Sequence, residues 1–237
     1  LKRYLVVARR RKQAHDYHIW ATENEERCFV SLAEEDISFS IIVPAYNTDP
    51  THIREMVMSV VNQHYENWEL IIANGSPDAM RSADIQTLCD IDTRIRVLEL
   101  GENKGISANT NSALAKASGD YIVFFDHDDL LHPCALHSFA DIATGHSPDV
   151  IYSDEDKISV DGKLSLPHFK SDFNPDLLLS HNYICHFSVI RKNLGDSIGW
   201  FRKGLEGSQD YDLFLRISQK TKAIYHIKKV LYHWRTI

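Results

Sequence analysis

Cysteine is scarce in this chain of 237 residues: Cys28, Cys89, Cys134 and Cys185 lie far apart, and no CxxC pair occurs. That spacing points to neither a zinc knuckle nor a disulfide framework, so a reducing, cytoplasmic setting is the simpler expectation. Long apolar runs are missing too. The longest span about five residues, against the ~20 needed to cross a bilayer, and no secretory signal is visible. Positive charge is not in excess: the formal net charge of -7 argues against a nucleic-acid binder, which carries a basic patch or stripe. There is no HExxH despite 13 histidines, and most of these read as surface or core residues. The chain begins at Leu1 rather than Met and stops at Ile237 just after a polar cluster, which is expected of a part of something longer.

What is present is ordinary globular composition, 43% hydrophobic and 25% charged, ample for one large α/β domain or a domain with an appendage. Residues 1–37 differ from the rest. Lys2, Arg3, Arg9, Arg10, Arg11 and Lys12 are followed by the acidic residues Glu23, Glu25, Glu26, Glu34, Glu35 and Asp36, with sparse apolar positions between. A helical extension packed on the main domain is expected. Its basic run reads as a solvated helix face, with peripheral contact to an anionic membrane as the alternative.

From residue 38 a regular pattern begins. Apolar runs at 39–43, 70–73, 95–98 and 121–125 read as buried strands. Asp49 is placed to cap a helix with Pro50 at its first position, and Ile53, Val57, Val60 and Val61 give its apolar face. Further helices are expected over about 82–90, over 106–117 with Gly119 ending it, and from near Pro133. Strands alternating with helices predict a parallel, doubly wound sheet over 38–237. Such sheets bind ligands at the carboxyl ends of their strands, which is where Pro44, Ala45, Tyr46 and Asn47, then Asn74, Gly75 and Ser76, then Asp126, His127, Asp128 and Asp129 all fall.

Three carboxylates within residues 126–129 repel one another unless a proton or a cation relieves them. Hard cations such as Mg²⁺ or Mn²⁺ take oxygen ligands and leave positions for substrate phosphates, while a solvated acidic loop capping the next helix would need no ligand. An apolar strand running into Asp-x-Asp also opens the haloacid-dehalogenase phosphotransferases. There, however, the motif lies on the first strand, whereas here three strands precede it.

Six ordered motifs carry a further signal: Ile41-Ile42-Val43-Pro44-Ala45-Tyr46-Asn47, Asn103-Lys104-Gly105-Ile106-Ser107-Ala108, Phe124-Phe125-Asp126-His127-Asp128-Asp129, Tyr152-Ser153-Asp154-Glu155-Asp156-Lys157, Glu206-Gly207-Ser208-Gln209-Asp210-Tyr211-Asp212 and Leu231-Tyr232-His233-Trp234-Arg235. Over roughly residues 39–235 the chain resembles the inverting family-2 glycosyltransferases of GT-A fold, in the bacterial branch that builds O-antigen and capsular polysaccharides. The resemblance implies a Rossmann-like, mixed but mainly parallel sheet flanked by helices as a single catalytic domain. It implies transfer of a sugar from a nucleoside-diphosphate donor, UDP or dTDP by preference, to a glycan or lipid-linked glycan at the inner face of the plasma membrane.

The resemblance also implies roles for particular residues. Pro44, Ala45, Tyr46, Asn47, Asn74, Gly105, Asn111, Asp126, His127 and Asp128 would hold the nucleotide sugar, and Asp128 would bind a Mn²⁺ or Mg²⁺ ion, with His233 and Asp126 as further candidate ligands. Asp210 would be the catalytic base, and Arg235 would pair with phosphate. Asp154, Glu155, Asp156 and Glu206 would border the sugar or acceptor, although residues 152–157 read equally well as a charged loop. Two positions depart from the family pattern: Asn74 stands where an Asp usually meets the base, and Thr110 stands where many relatives carry Arg. A non-catalytic module that binds nucleotide sugar or glycan inside a larger synthase is the alternative function.

Overall fold

The first strand, β1 (Phe39–Ala45), is buried on both faces because helices cover both, and it is apolar except at Ser40. Its alternate residues divide two cores: Ile41 and Val43 face one and Ile42 the other. In the computed structural model, which describes residues 12–13, 15–23, 37–77 and 79–236, β1 pairs in parallel with β2 (Trp68–Asn74) and β4 (Tyr121–Phe124). The strand β3 (Ile95–Glu99) extends this parallel half beyond β2.

Past β4 the sheet becomes mixed. The order is β3-β2-β1-β4-β8-β6-β9-β5, with β7 on β6, where β5 is Leu130–Leu131, β6 Val150–Ser159, β7 Leu164–His168, β8 Ser188–Arg191 and β9 Ile224–Thr236. β8 runs antiparallel to β4 and β6, whereas β6 and β9 run parallel. The mixed sheet with flanking helices expected from the sequence is therefore present, its continuous parallel part confined to β1–β4.

Residues 12–13 and 15–23 are helical (α1). They meet the sheet through the Tyr17 hydroxyl, which donates to Asp156 at 2.8 Å, and through His18 Nδ1, which accepts from the Leu164 N–H at 3.3 Å. The basic run at 2–11 and the acidic residues at 25–36 lie outside the described residues. Among the described residues no helix is long and apolar enough to cross a membrane.

The helix α2 (Pro50–Val61) starts as its sequence requires: Asp49 accepts from the N–H groups of Thr51 and His52, and Pro50 occupies the first turn. The helices α3 (Ala79–Gln86), α4 (Ile106–Leu114), α5 (Ala135–His146), α6 (Pro175–Ser180), α7 (Lys192–Ile198) and α8 (Gln209–Ser218) follow, with a single 3-10 turn at Thr87–Asp90 after α3.

Three expectations need correction. Gly119 does not end α4, which stops at Leu114. Gly119 instead lies against β1, where a Cβ would stand 2.7 Å from the Ser40 nitrogen. Residues 152–157 are not a loop but the middle of β6. Cys134 is disulfide-bonded, while Cys89 and Cys185 are free.

Two measurements test this packing. Gly119→Ala has no room against β1 and is expected to lower unfolding free energy by roughly 1–3 kcal/mol in urea titration. His132, whose Nδ1 accepts the Cys134 N–H at 3.2 Å, is held down to about 4, first by burial and then by His233 and His64. A base depressed on folding binds its proton more readily when unfolded, so its contribution is complete above the ordinary histidine range and is lost as pH falls from about 6.5 toward 4. His132→Asn keeps an acceptor but not the titration. Its thermal midpoint should change less with pH across that window than the wild type's, and equal slopes would refute the assignment.

Candidate active site at the carboxyl ends of the strands

The carboxyl ends of β1, β2 and β4 are tied together by backbone. The Gly75 N–H donates to the Ala45 carbonyl at 2.9 Å, and the Phe125 N–H donates to that of Ile42 at 3.1 Å. Beyond them open two adjoining compartments that share Pro44, Ile106 and Asp126. The outer one, about 380 Å³, is walled by Ala45, Tyr46, Asn103, Asn109, His127, Asp128 and Trp234. The inner one, about 230 Å³, reaches Asp210, His186, Cys185 and Gln209 over a floor of apolar side chains.

The three carboxylates of the turn after β4 separate into two roles. Asp129 is buried: it accepts the Tyr232 hydroxyl and, at 2.7 Å, the Arg235 N–H. Burial is the main reason it is pushed up to about 7, with Asp126 and Asp128 adding to the effect against the lowering by those two hydrogen bonds. Asp126 and Asp128 remain in the cleft. His186 Nε2 lies 3.3 Å from Asp126, and His127 Nδ1 is 3.8 Å from Asp128, buried and without a hydrogen-bond partner. Arg235 does not face the cleft as a free cation; it braces the loop by donating to the Asp128 carbonyl at 2.6 Å and to Glu55 at 2.7 Å.

In the first turn of α8 two aspartates likewise diverge. Asp212 is engaged by Arg202 and Arg216. Asp210 lines the inner compartment and accepts one hydrogen bond, from Asn182 Nδ2 at 2.7 Å. Glu206 is exposed and lines neither compartment; it lies near Gly105, whose positive φ of 89° starts α4.

Several residues expected at the site lie elsewhere. His233 and Trp234 are neighbours on β9, so their side chains point to opposite faces of the sheet. Trp234 takes the cleft side, while His233 Nδ1 lies 2.6 Å from buried Asp156. Among the described residues no three His, Cys, Asp or Glu side chains converge as a ready-made metal cage. The carboxylates of β6 line neither compartment and have partners of their own. Asp154 lies 2.8 Å from His226 Nε2, and Glu155 accepts from the fully buried Lys170 ammonium at 3.1 Å.

Asn111 is also away from the cleft, both its amide atoms bonded to the Phe201 backbone. Asn74 is buried at the end of β2. Its Oδ1 accepts the Ser76 N–H at 3.0 Å, and its Nδ2 donates to both oxygens of Glu99 at 3.1 and 3.0 Å.

Sequence reasoning missed His186, Asn182 and the orientation of Trp234. His186 stacks on Tyr232 with ring centroids 5.1 Å apart and meets Trp234 edge-on at 5.4 Å. Lys170 holds its segment by donating to the carbonyls of Ile184, at 2.7 Å, and His186. Two polar residues between α6 and β8 show no periodicity that would single them out. For Trp234, alternation along β9 was the available signal.

A comparison with known proteins decides the family. The model for glycosyl transferase family 2 matches residues 40–199. The chain belongs to glycosyl transferase family 2. It is 44% identical over 201 residues to the uncharacterized protein y4gI of Sinorhizobium fredii, covering 83% of this chain and 22% of that protein. It is 34% identical over 230 residues to the O-antigen biosynthesis protein RfbC of Myxococcus xanthus, covering 93% of this chain and 18% of that protein. The chain thus spans about a fifth of these curated relatives. The crystal structure of S. aureus TarS 1-349 superposes with a TM-score of 0.70 at 21% identity, covering 84% of this chain and 60% of that one. This likeness shows the GT-A fold; the same TarS fragment has also been solved with UDP and with UDP-GlcNAc.

The division between structural and cleft-facing groups is open to test by denaturant unfolding. His233→Ala leaves buried Asp156 short of a partner and should remove roughly 1–3 kcal/mol. Asp210→Ala removes a half-buried carboxylate at a helix N-terminus and should remove less than about 1 kcal/mol. Equal losses would contradict the division.

Proposed function

We propose that this domain is a metal-dependent, inverting glycosyltransferase that moves a sugar from a nucleoside-diphosphate donor to a glycan or lipid-linked glycan in bacterial surface-polysaccharide synthesis. One observation carries the reading: Asp126 belongs to both compartments, with Asp128 and Tyr46 on its outer side and Asp210 on its inner side. A donor lying across Asp126 would place its nucleotide by Pro44, Ala45 and Tyr46 and its sugar before Asp210. The complexes of TarS with UDP and UDP-GlcNAc support a nucleotide-sugar donor, and UDP or dTDP is the preferred nucleotide of this reading. The cytoplasmic side of the membrane is part of the same reading and rests on the family.

The donor set suits a hard divalent cation. Asp126 and Asp128 offer two carboxylates without a third protein ligand among the described residues, which matches ions that keep positions for water and substrate phosphate. When bound, Mn²⁺ or Mg²⁺ would neutralise charge developing on the leaving diphosphate. Asp128, with Asp126, would hold it; His233, committed to Asp156, takes no part.

The protein residues divide the remaining work. Asp210, held by Asn182, takes the proton of an acceptor hydroxyl as that oxygen bonds to the anomeric carbon. The bond from that carbon to the diphosphate oxygen breaks on the opposite face, and the electron pair leaves with the nucleoside diphosphate. A single displacement inverts the anomeric configuration. The apolar inner floor limits water, the competing nucleophile.

Nucleoside-diphosphate release from UDP- and dTDP-sugars in Mn²⁺, with and without glycan acceptors, tests the reading. Asp210→Asn should lower kcat by ~10²–10⁴ with donor binding retained, the range for a lost general base. Asp128→Asn should raise the Mn²⁺ concentration needed for half-maximal rate. Donor binding without release by folded wild-type protein would leave only a nucleotide-sugar-binding module.

A further inference from the structure

The inner compartment is uneven in chemistry. Beside Asp126 and Asp210 much of its lining is carbon, from Ile42, Phe124, Phe201, Leu213 and Phe214. Phe124 and Phe201 meet edge to face at 4.9 Å, and Asn111 pins the Phe201 backbone through both amide atoms. The wall is therefore preformed. Thr110 Oγ1 donates to the Ile106 carbonyl at 2.7 Å, and Gln209 Oε1 accepts the Gly207 N–H at 2.6 Å, so these two oxygens are turned to the backbone. Neither lysine nor arginine lines the compartment among the described residues, and its two charged side chains, Asp126 and Asp210, are both acidic.

Each property selects against a kind of sugar. A uronate would enter beside two carboxylates with neither lysine nor arginine to receive it, and His186 already lies against Asp126. A hydroxyl pressed on the carbon wall would lose water without gaining a partner, whereas a methyl there gains by burial. The volume, about 230 Å³, lies below the ~300–1,000 Å³ of drug-sized sites and suits one sugar residue.

We propose that the carbon wall beside Asp210 makes this domain select a neutral donor sugar that carries a methyl group, as acetamido and 6-deoxy sugars do, over plain hexoses and uronic acids. The proposal rests on the transferase reading above. It assigns Phe124, Phe201 and Phe214 to donor specificity.

The test compares donors within each nucleotide, so that base recognition cancels. Nucleoside-diphosphate release is measured in Mn²⁺ for UDP-GlcNAc, UDP-glucose and UDP-glucuronate, and for dTDP-rhamnose and dTDP-glucose. The methyl-bearing donor of at least one series should exceed its plain hexose in kcat/KM by roughly 10–200-fold, and the responding series tells acetamido from 6-deoxy. Phe201→Ser, or Ile106→Ser if that variant does not fold, should shrink the ratio at least tenfold. Plain hexose or glucuronate used equally well or better overturns the selectivity while leaving the transferase reading intact. Release from none of the five donors by folded protein defeats both.

Discussion

A buried carboxylate fixes the geometry on which the cleft depends. Asp129 sits under the turn after β4 and accepts hydrogen bonds from Tyr232 and the Arg235 backbone, both on β9. β4 and β9 are not neighbours in the sheet; β8 and β6 stand between them. Asp129 therefore joins distant strands at one end, where Tyr232 also stacks on His186. Arg235 continues the tie to the Asp128 carbonyl and to Glu55 of α2. With Asp129 anchored inside, Asp126 and Asp128 emerge into the cleft at a separation set by backbone rather than by their mutual repulsion.

The first half of the fold was legible because its signals are local. The apolar run Ile41-Ile42-Val43 before Pro44, and Asp49-Pro50 opening α2, each depend on no distant partner. The turn at 126–129 was likewise visible as a carboxylate cluster at a strand end. β6 was not, because a central strand bearing Asp154, Glu155 and Asp156 breaks the rule that buried strands are apolar. Glu155 meets Lys170 15 residues away, Asp154 meets His226 72 away and Asp156 meets His233 77 away. No local periodicity reveals those partners, so the stretch reads as a charged loop until the fold supplies them.

Alternation along one strand accounts for the largest change in the site. Position 233 is chemically attractive for a metal and position 234 looks incidental, yet only one of two consecutive strand residues can face the cleft. The structure gives that face to Trp234, whose ring carries the Lys157 ammonium at 3.1 Å from its centre. His186 enters the site from β8's leading edge, and its place there depends on the buried Lys170 that clasps the preceding carbonyls.

At Asn74 the departure from the usual aspartate comes with a matching residue. Its amide nitrogen fills the space between two oxygens of Glu99, 25 residues further on. An aspartate at 74 would set carboxylate against carboxylate across the ends of β2 and β3. The two positions are therefore chemically coupled: a change of charge at residue 74 is felt at residue 99.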